Sequence, residues 1–184
     1  MKTIAIIQAR LTSKRFPKKV LEKLGHKTIL QHVIDATKQS NVTKVVVATP
    51  TGQDIPFTGA SRFQGSEDDV LDRYYQCATK YEADTIVRIT ADCPLMQPNF
   101  INAAIELYRT VPTSYVKFAP VSGFDVEVFS YRLLLEAAQN TSELYDREHV
   151  TPYMKRKENL SVDTRDDLIK VEAIYADSNR TRKS

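Results

Sequence analysis

The segment "IAIIQARLTSKRFPKKVL", residues 4–21, runs from four apolar residues almost directly into a group of cations. Arg10 follows the apolar run closely, and Lys14, Arg15, Lys18 and Lys19 come within the next nine positions. Like charges crowded on one loop repel each other unless an anion joins them. Arginine grips phosphate oxygens with two parallel N–H groups, and lysine serves as a point charge. Thr12 and Ser13 add hydroxyl donors, and Pro17 stiffens the chain between them and Lys19. This composition suits a triphosphate. A solvated basic loop explains the charges too, but not their position directly off a core strand. The glycine spacing of a P-loop or of a dinucleotide fingerprint is absent.

Other segments carry carboxylates. In "ITADCPL", residues 89–95, Asp92 ends a predicted strand and Pro94 blocks helical continuation. An acid there suits Mg²⁺, which takes one or two carboxylates and leaves room for phosphate oxygens. The same residues also make a good turn. In "SVDTRDDL", Asp163 follows a short predicted strand, as a helix cap or as a second metal ligand. In "DVEVF", Asp125 and Glu127 are two apart on a strand and share a face. An exposed sheet face explains the pair, and so does a hydroxyl-rich ligand whose O–H groups the carboxylates accept. In "YDREHVTPYMKR", Glu148 and His149 sit beside Arg147 on a predicted helix. With three histidines in the chain and no Cys or His close by, a zinc site has no support.

The elements that must position these groups alternate. Strands are predicted at 3–8, 44–49 and 84–90, with helices at 27–39, from Ser66 onward, and from Pro98 to Arg109. Ser66 is read as the cap of the second helix, with Asp69 completing the Ser-x-x-acid box. This β-α-β-α-β-α order predicts an α/β fold with parallel strands covered by helices on both faces. In such sheets, ligands bind beyond the carboxyl ends of the strands, where the strand order reverses. The second half changes character. Residues 113–118 and 124–130 read as a hairpin around Pro120 and Gly123. Helices are predicted from Tyr131 to about Asn140 and from about Tyr145 to Lys155, then a strand at 160–164 and a helix from Asp166 to Tyr175. Residues 50–63 lack periodicity and read as a shortened connection, with a brief strand at Arg62 to Gln64.

Composition bounds the class. The chain has 184 residues, 42% hydrophobic and 27% charged, ordinary values for a soluble domain. We expect one domain over residues 1–176 and a frayed basic tail over 177–184. The net charge of +3 is too small to argue for nucleic acid. No apolar run approaches the roughly 20 residues of a membrane span. Cys77 and Cys93 show no metal or redox spacing, and the N-terminus enters a strand at once, so a cytoplasmic protein is expected.

Taken in order, "IQARLTSKRFPKKVL", "VVVAT", "GSEDDVLDRYYQCA", "VRITADCPL", "DVEVF", "REHVTPY" and "VDTRDDL" make a resemblance. The chain resembles the cytidylyltransferase family that includes the spore-coat polysaccharide biosynthesis protein F group. More distantly, it is similar to CMP-Kdo and acylneuraminate cytidylyltransferases. The likeness covers residues 2 to about 176. It implies a Rossmann-like, nucleotide-diphospho-sugar-transferase-like fold, a mostly parallel sheet sandwiched by helices. It also implies a nucleotidyltransferase that joins CMP from CTP to a sugar or sugar acid, releases pyrophosphate and uses Mg²⁺.

By that resemblance, Ala9, Arg10, Ser13, Arg15 and Lys19 belong to the nucleotide-binding loop, and Arg10, Lys19 and Asp92 carry the chemistry. Asp92 and Asp163 match the metal-binding acids, and Ser66 and Arg73 line the nucleotide side. Asp125, Glu127, Glu148 and His149 fall where the acceptor sugar sits. Relatives commonly dimerise, and the 113–130 hairpin offers a surface for it. Three departures stand out: Lys18 and Ala91 replace family glycines, and residues 50–63 are short. They keep open a different nucleoside triphosphate, an altered acceptor, or a relative that binds nucleotide or sugar without turnover.

Overall fold

The computed structural model describes residues 1–121, 123–158 and 165. The strands are β1 (Thr3–Gln8), β2 (Lys23–Leu24), β3 (Lys27–Thr28), β4 (Lys44–Pro50), β5 (Ser61–Gly65), β6 (Thr85–Thr90), β7 (Tyr115–Phe118) and β8 (Val126–Ser130). The helices are α1 (Ile29–Lys38), α2 (Val70–Lys80), α3 (Pro98–Thr110), α4 (Tyr131–Asn140), α5 (Leu144–His149) and α6 (Pro152–Lys157), and Lys19–Leu21 makes one 3-10 turn. Six strands form one sheet in the order β5-β4-β1-β6-β8-β7. The first four are parallel, and β8 joins β6 antiparallel and carries β7 as its hairpin partner. The expected α/β architecture with a hairpin in the second half is therefore present.

β1 lies between β4 and β6, so both of its backbone edges are used. Its side chains alternate between two cores. Ala5 and Ile7 face α1 and α3, against Leu30, Val33, Ile101 and Ile105. Ile4 and Ile6 face α2 and α4, against Leu71, Tyr74, Leu133 and Leu134. A strand covered on both faces must read as an unbroken apolar run, which is what residues 4–7 provide. The chain leaves β1 toward β4 and later returns to β6 on the opposite side. The strand order therefore reverses at the carboxyl end of β1, and the cation-rich loop begins there.

The connection between β4 and β5 contains no helix, as its composition predicts. It packs by other means: Ile55 is fully buried, and Arg62 donates to the Ile55 carbonyl at 2.7 Å while its guanidinium lies 4.5 Å from the Phe57 ring centroid. β5 is slightly longer than the brief strand expected.

Three expectations are corrected. The cap of α2 is Asp69, whose carboxylate accepts from Asp72 N at 2.9 Å; Ser66 instead accepts from Asp69 N at 3.0 Å, capping the turn that leads in. The single helix expected from Tyr145 to Lys155 is two, α5 and α6, because the chain turns out of helical geometry at Val150 and Pro152, which lacks an amide hydrogen, starts the second at its first position. Asp125 precedes β8 rather than lying within it. The strand at 160–164, Asp163, the helix from Asp166 to Tyr175 and the tail at 177–184 lie outside the described residues, Arg165 excepted. Among the described residues, no helix is long and apolar enough to cross a membrane.

Candidate active site

The carboxyl ends of β1 and β6 are held side by side, with Gln8 in register with Thr90 and Ala91 N donating to Gln8 O at 3.1 Å. From there the cation loop leaves β1 and is pinned at several points. Leu11 N donates to Gln53 Oε1 at 2.7 Å, Thr12 Oγ1 donates to Glu67 Oε1 at 2.6 Å, and Lys18 N donates to Leu11 O at 2.9 Å, closing the loop on itself. Gln53 and Glu67 come from the β4–β5 connection and the turn before α2. Neither was legible as a site residue, because their spacing to the loop has no local pattern.

Around this loop open four recesses that share Arg10. The first holds about 80 Å³ and is lined by Gln8, Ala9, Arg10, Val70, Arg73, Glu148 and His149. The second, about 120 Å³, is lined by Gln8, Ala9, Arg10, Lys19, Thr90, Ala91 and Asp92, among others. Two wider ones, about 440 and 360 Å³, lie along Thr12, Lys14 and Glu148, the last of them adding Ser13, Arg15 and Lys19. The structure thus brings together Ala9, Arg10, Ser13, Arg15, Lys19, Arg73, Asp92, Glu148 and His149. Ser66 stands beside them through its carbonyl, which accepts from the Arg73 guanidinium at 2.6 Å.

Charge in this cleft is unbalanced. Lys14, Arg15 and Lys18 make no ion pair among the described residues, and Arg10 has only Glu148 at 4.0 Å. Lys19 is directly ion-paired to Asp92. Burial works against the Asp92 charge, but hydrogen bonds from the Lys19 ammonium and the Thr90 hydroxyl outweigh it and hold the carboxyl below its ordinary range. Arg73 is 2% exposed, and its Nε has no hydrogen-bond partner among the described residues. Burial first, and the nearby Arg10 charge after it, press its pKa down against the pull of Tyr74 and Glu67. Gly65 makes room for it: a Cβ there would meet Arg73 Cγ at 2.9 Å.

α5 reaches the cleft because two buried or half-buried carboxylates anchor it. Arg147 donates through Nε to Asp69 Oδ2 at 2.9 Å and through Nη1 to Ala138 O at 2.8 Å, tying α5 to the start of α2 and the end of α4. Asp146, 1% exposed, accepts from Arg156 at 2.6 Å and from Thr141 Oγ1 at 2.7 Å. Immediately after His149, Val150 adopts φ 72°, ψ −53°, and Thr151 N closes a three-residue turn onto His149 O at 2.8 Å. A buried β-branched residue in this region is strained by roughly 1–3 kcal/mol. The surrounding anchors hold the turn, and it leaves Glu148 and His149 at the cleft wall.

Glu127 departs from expectation. It does not lie on an exposed face: it is 3% exposed and ion-paired to Arg88, with Tyr115 Oη donating at 2.7 Å, Thr151 Oγ1 at 3.0 Å and Lys155 Nζ at 2.9 Å. Antiparallel pairing puts Glu127 opposite Arg88 on β6, a partnership invisible until the strands are paired. With its oxygens occupied, the structure uses Glu127 as a core charge and not as a cleft residue. Asp125 pairs with Lys117 across the hairpin at 2.8 Å.

Of the two proposed metal ligands, Asp92 lies in the cleft and Asp163 is outside the described residues. No cluster of three or more His, Cys, Asp or Glu side chains suited to a metal occurs among the described residues. One half-buried carboxylate beside the loop cations still fits Mg²⁺, which keeps waters and takes its other ligands from phosphate groups.

A Rossmann-like sheet with a cationic loop at its switch point, facing an aspartate at the end of the neighbouring strand, defines a nucleotidyltransferase. The profile of the cytidylyltransferase family matches residues 4–180, and the chain belongs to that family. It is 40% identical over 169 residues to an uncharacterized protein of Methanocaldococcus jannaschii, covering 87% of this chain and 70% of that one. It is 27% identical over 205 residues to the spore coat polysaccharide biosynthesis protein SpsF of Bacillus subtilis, covering 92% and 85%. Among solved structures, a cytidylyltransferase from Leptospira borgpetersenii superposes with a TM-score of 0.76 at 30% identity, covering 91% of this chain and 84% of that one.

The two glycine departures now have physical readings. Lys18 sits at φ 58°, ψ 15°, the left-handed region that favours glycine, whereas Ala91 is not left-handed and its methyl packs into the core. A side chain in the left-handed region costs roughly 1–2 kcal/mol, and glycine returns part of that gain as chain entropy. Lys18→Gly should therefore leave stability unchanged or raise it by up to about 1 kcal/mol, while Lys18→Val should lower it by more than about 1 kcal/mol, measured by urea denaturation.

Glu127 sets an acid limit. Burial alone would raise its pKa, but Arg88, Tyr115 and Lys155 together hold it at about 2, against an ordinary 4.5. A depressed folded-state pKa gives stability that is complete above 4.5 and lost as pH falls toward 2. Stability measured in urea should fall across that window. Glu127→Gln should flatten this part of the profile, at a cost of about 3–5 kcal/mol for the buried guanidinium left behind.

Proposed function

We propose that this chain is a Mg²⁺-dependent cytidylyltransferase that transfers CMP from CTP to a sugar or sugar acid and releases pyrophosphate, in surface polysaccharide biosynthesis. The observation that carries this reading is the cation loop after β1: its Arg10 and Lys19 share one recess with Asp92, and its Lys14 and Arg15, in the adjoining recess, have no carboxylate partner among the described residues. Support comes from membership of the family and from the likeness to a spore coat polysaccharide protein.

In this reading the triphosphate lies along the loop. Arg10, Arg15 and Lys19 neutralise it, and the Ser13 hydroxyl donates to it. Asp92, with Asp163 as a candidate second ligand, would hold Mg²⁺, which supplies charge neutralisation at the phosphates. A sugar oxygen, placed from the side of Glu148 and His149, attacks the α-phosphorus, and the bond to the bridging oxygen of pyrophosphate breaks. Charge builds on the departing pyrophosphate, where Arg10 and Lys19 stabilise it. Such catalysis rests on alignment and fixed positive charge more than on proton transfer. Arg73 contributes a buried guanidinium N–H to the nucleotide side.

Nucleotide or sugar binding without turnover is a second reading, favoured by the ion pair that already occupies Asp92. Pyrophosphate release from CTP and Mg²⁺ with a panel of sugar acids separates the two. Under the first reading, Lys19→Ala and Asp92→Asn each lower turnover on the order of 10²–10³-fold with the fold intact, by analogy with the loss of one oxyanion donor. Near-wild-type turnover in either variant counts against the assignment. Chelation of divalent cations should stop release and added Mg²⁺ restore it. A thermal-shift comparison of the four nucleoside triphosphates should give its largest stabilisation with CTP.

A further inference from the structure

Gln8 is the only polar side chain on β1 beyond Thr3, and it occurs where the strand's buried run ends. It lines both the recess of Arg73 and His149 and the recess of Lys19 and Asp92. By strand alternation it follows Ile4 and Ile6 onto the face packed by α2 and α4, where an aliphatic side chain would fit the pattern. A half-buried amide in that place costs desolvation unless its groups are paired.

Its oxygen is paired in part. Tyr74, fully buried on α2, shares its one hydroxyl hydrogen between the Ile6 carbonyl, 3.2 Å away, and Gln8 Oε1, 3.3 Å away. The Tyr74 ring in turn lies 6.0 Å from the Arg88 guanidinium, whose charge is paired with Glu127. Burial raises the Tyr74 pKa, so the hydroxyl stays protonated and remains a donor. With Oε1 taken by that donor, the Gln8 Nε2 hydrogens are left over, and Nε2 has no hydrogen-bond partner among the described residues.

We propose that Gln8 is a specificity-determining residue, its amide oriented by Tyr74 so that Nε2–H donates to an acceptor atom of bound substrate where the two recesses meet. The inference rests on the function proposed above and deepens it. The ligand atom is a carbonyl, phosphoryl or carboxylate oxygen, or a ring nitrogen with a lone pair, from the nucleotide or from the sugar acid. A ligand that places a donor there leaves two N–H groups facing a donor and is rejected. Tyr74 is a positioning residue: it acts only through Gln8.

The test uses the full chain with Gln8→Met, which keeps the volume and removes the donor, Tyr74→Phe, which keeps the ring and removes the hydroxyl, and the double variant. Nucleotide binding is read by calorimetry with CTP and Mg²⁺. Turnover is read as pyrophosphate release with the member of a panel of 2-keto sugar acids that the wild type uses. Gln8→Met should weaken binding or kcat/KM by about 10- to 100-fold, the range for an unsatisfied buried polar partner. A weakened CTP affinity assigns the acceptor atom to the nucleotide; unchanged CTP affinity with a raised KM or lowered kcat assigns it to the sugar acid.

Tyr74→Phe should show a smaller loss, and that loss should vanish in the Gln8→Met background, which a merely structural tyrosine would not do. Equal effects of Tyr74→Phe in both backgrounds, or Gln8→Met within twofold of wild type in binding and turnover, overturn the proposal. A wild type that neither binds nor turns over any nucleoside triphosphate overturns the proposed function with it. An active wild type with an unaffected Gln8→Met overturns this inference alone.

Discussion

The ion pair between Lys19 and Asp92 is the contact on which the cleft depends. It joins two segments 73 residues apart, the loop after β1 and the turn after β6. Each group stands where it does because β1 and β6 are paired along their whole length. The pair serves two ends. It fixes the distal end of a loop that would otherwise be driven open by its own positive charge. It also keeps a lysine and a carboxylate, the two groups that handle phosphate and metal in the proposed reaction, at the same wall of one recess. An exposed pair of this type contributes little to stability, about 0–1 kcal/mol. Its importance is positional: it sets where the cleft's charges stand.

Behind the cleft lies a second electrostatic system, and it is built on the opposite principle. Glu127 and Arg88 are almost wholly removed from water, and the desolvation of two charges is offset only because Tyr115, Thr151 and Lys155 fill the remaining lone pairs of the carboxylate. This network connects the hairpin β7–β8 to β6, and through Thr151 to the turn at Val150. The strained turn at Val150 is therefore bracketed by Asp146 on one side and by Glu127 on the other. Glu148 and His149 are carried on a short helix held in place through its Asp146 and Arg147.

Apart from the two-residue strands β2 and β3, the second of which falls where a helix start was expected, the strands and helices up to Thr110 were legible because each has a local signal: β-branched runs for buried parallel strands, periodic apolar residues for α1 and α2, and Pro98 at the start of α3. The cation loop was legible for the same reason, since Arg10, Ser13, Arg15 and Lys19 are close in sequence. Errors fell where a local rule had a competitor. Ser66 and Asp69 both suit a cap, and Asp69, held also by Arg147, is the one that accepts from Asp72 N at the first turn. Asp125 and Glu127 have the alternation of a half-exposed strand, yet β8 is covered on both faces because α4 packs over it. Gln8, Gln53 and Glu67 were not legible. A glutamine or glutamate carries no signature until the strand or loop opposite it is known.

By itself, the sequence determined the class of the protein: an alternating α/β chain with clustered cations at the end of its first strand and an acid at the end of a later one. Those features follow from short-range physics, namely side-chain periodicity, turn chemistry and charge repulsion, and they are written in contiguous residues. Only the tertiary structure decided which acids serve the cleft and which serve the core. Asp92 and Glu127 are both carboxylates on or just beyond neighbouring strands. One is drawn into solvent reach beside Lys19, and the other is buried against Arg88. That difference depends on strand pairing between residues 39 apart, a distance over which no local pattern carries information.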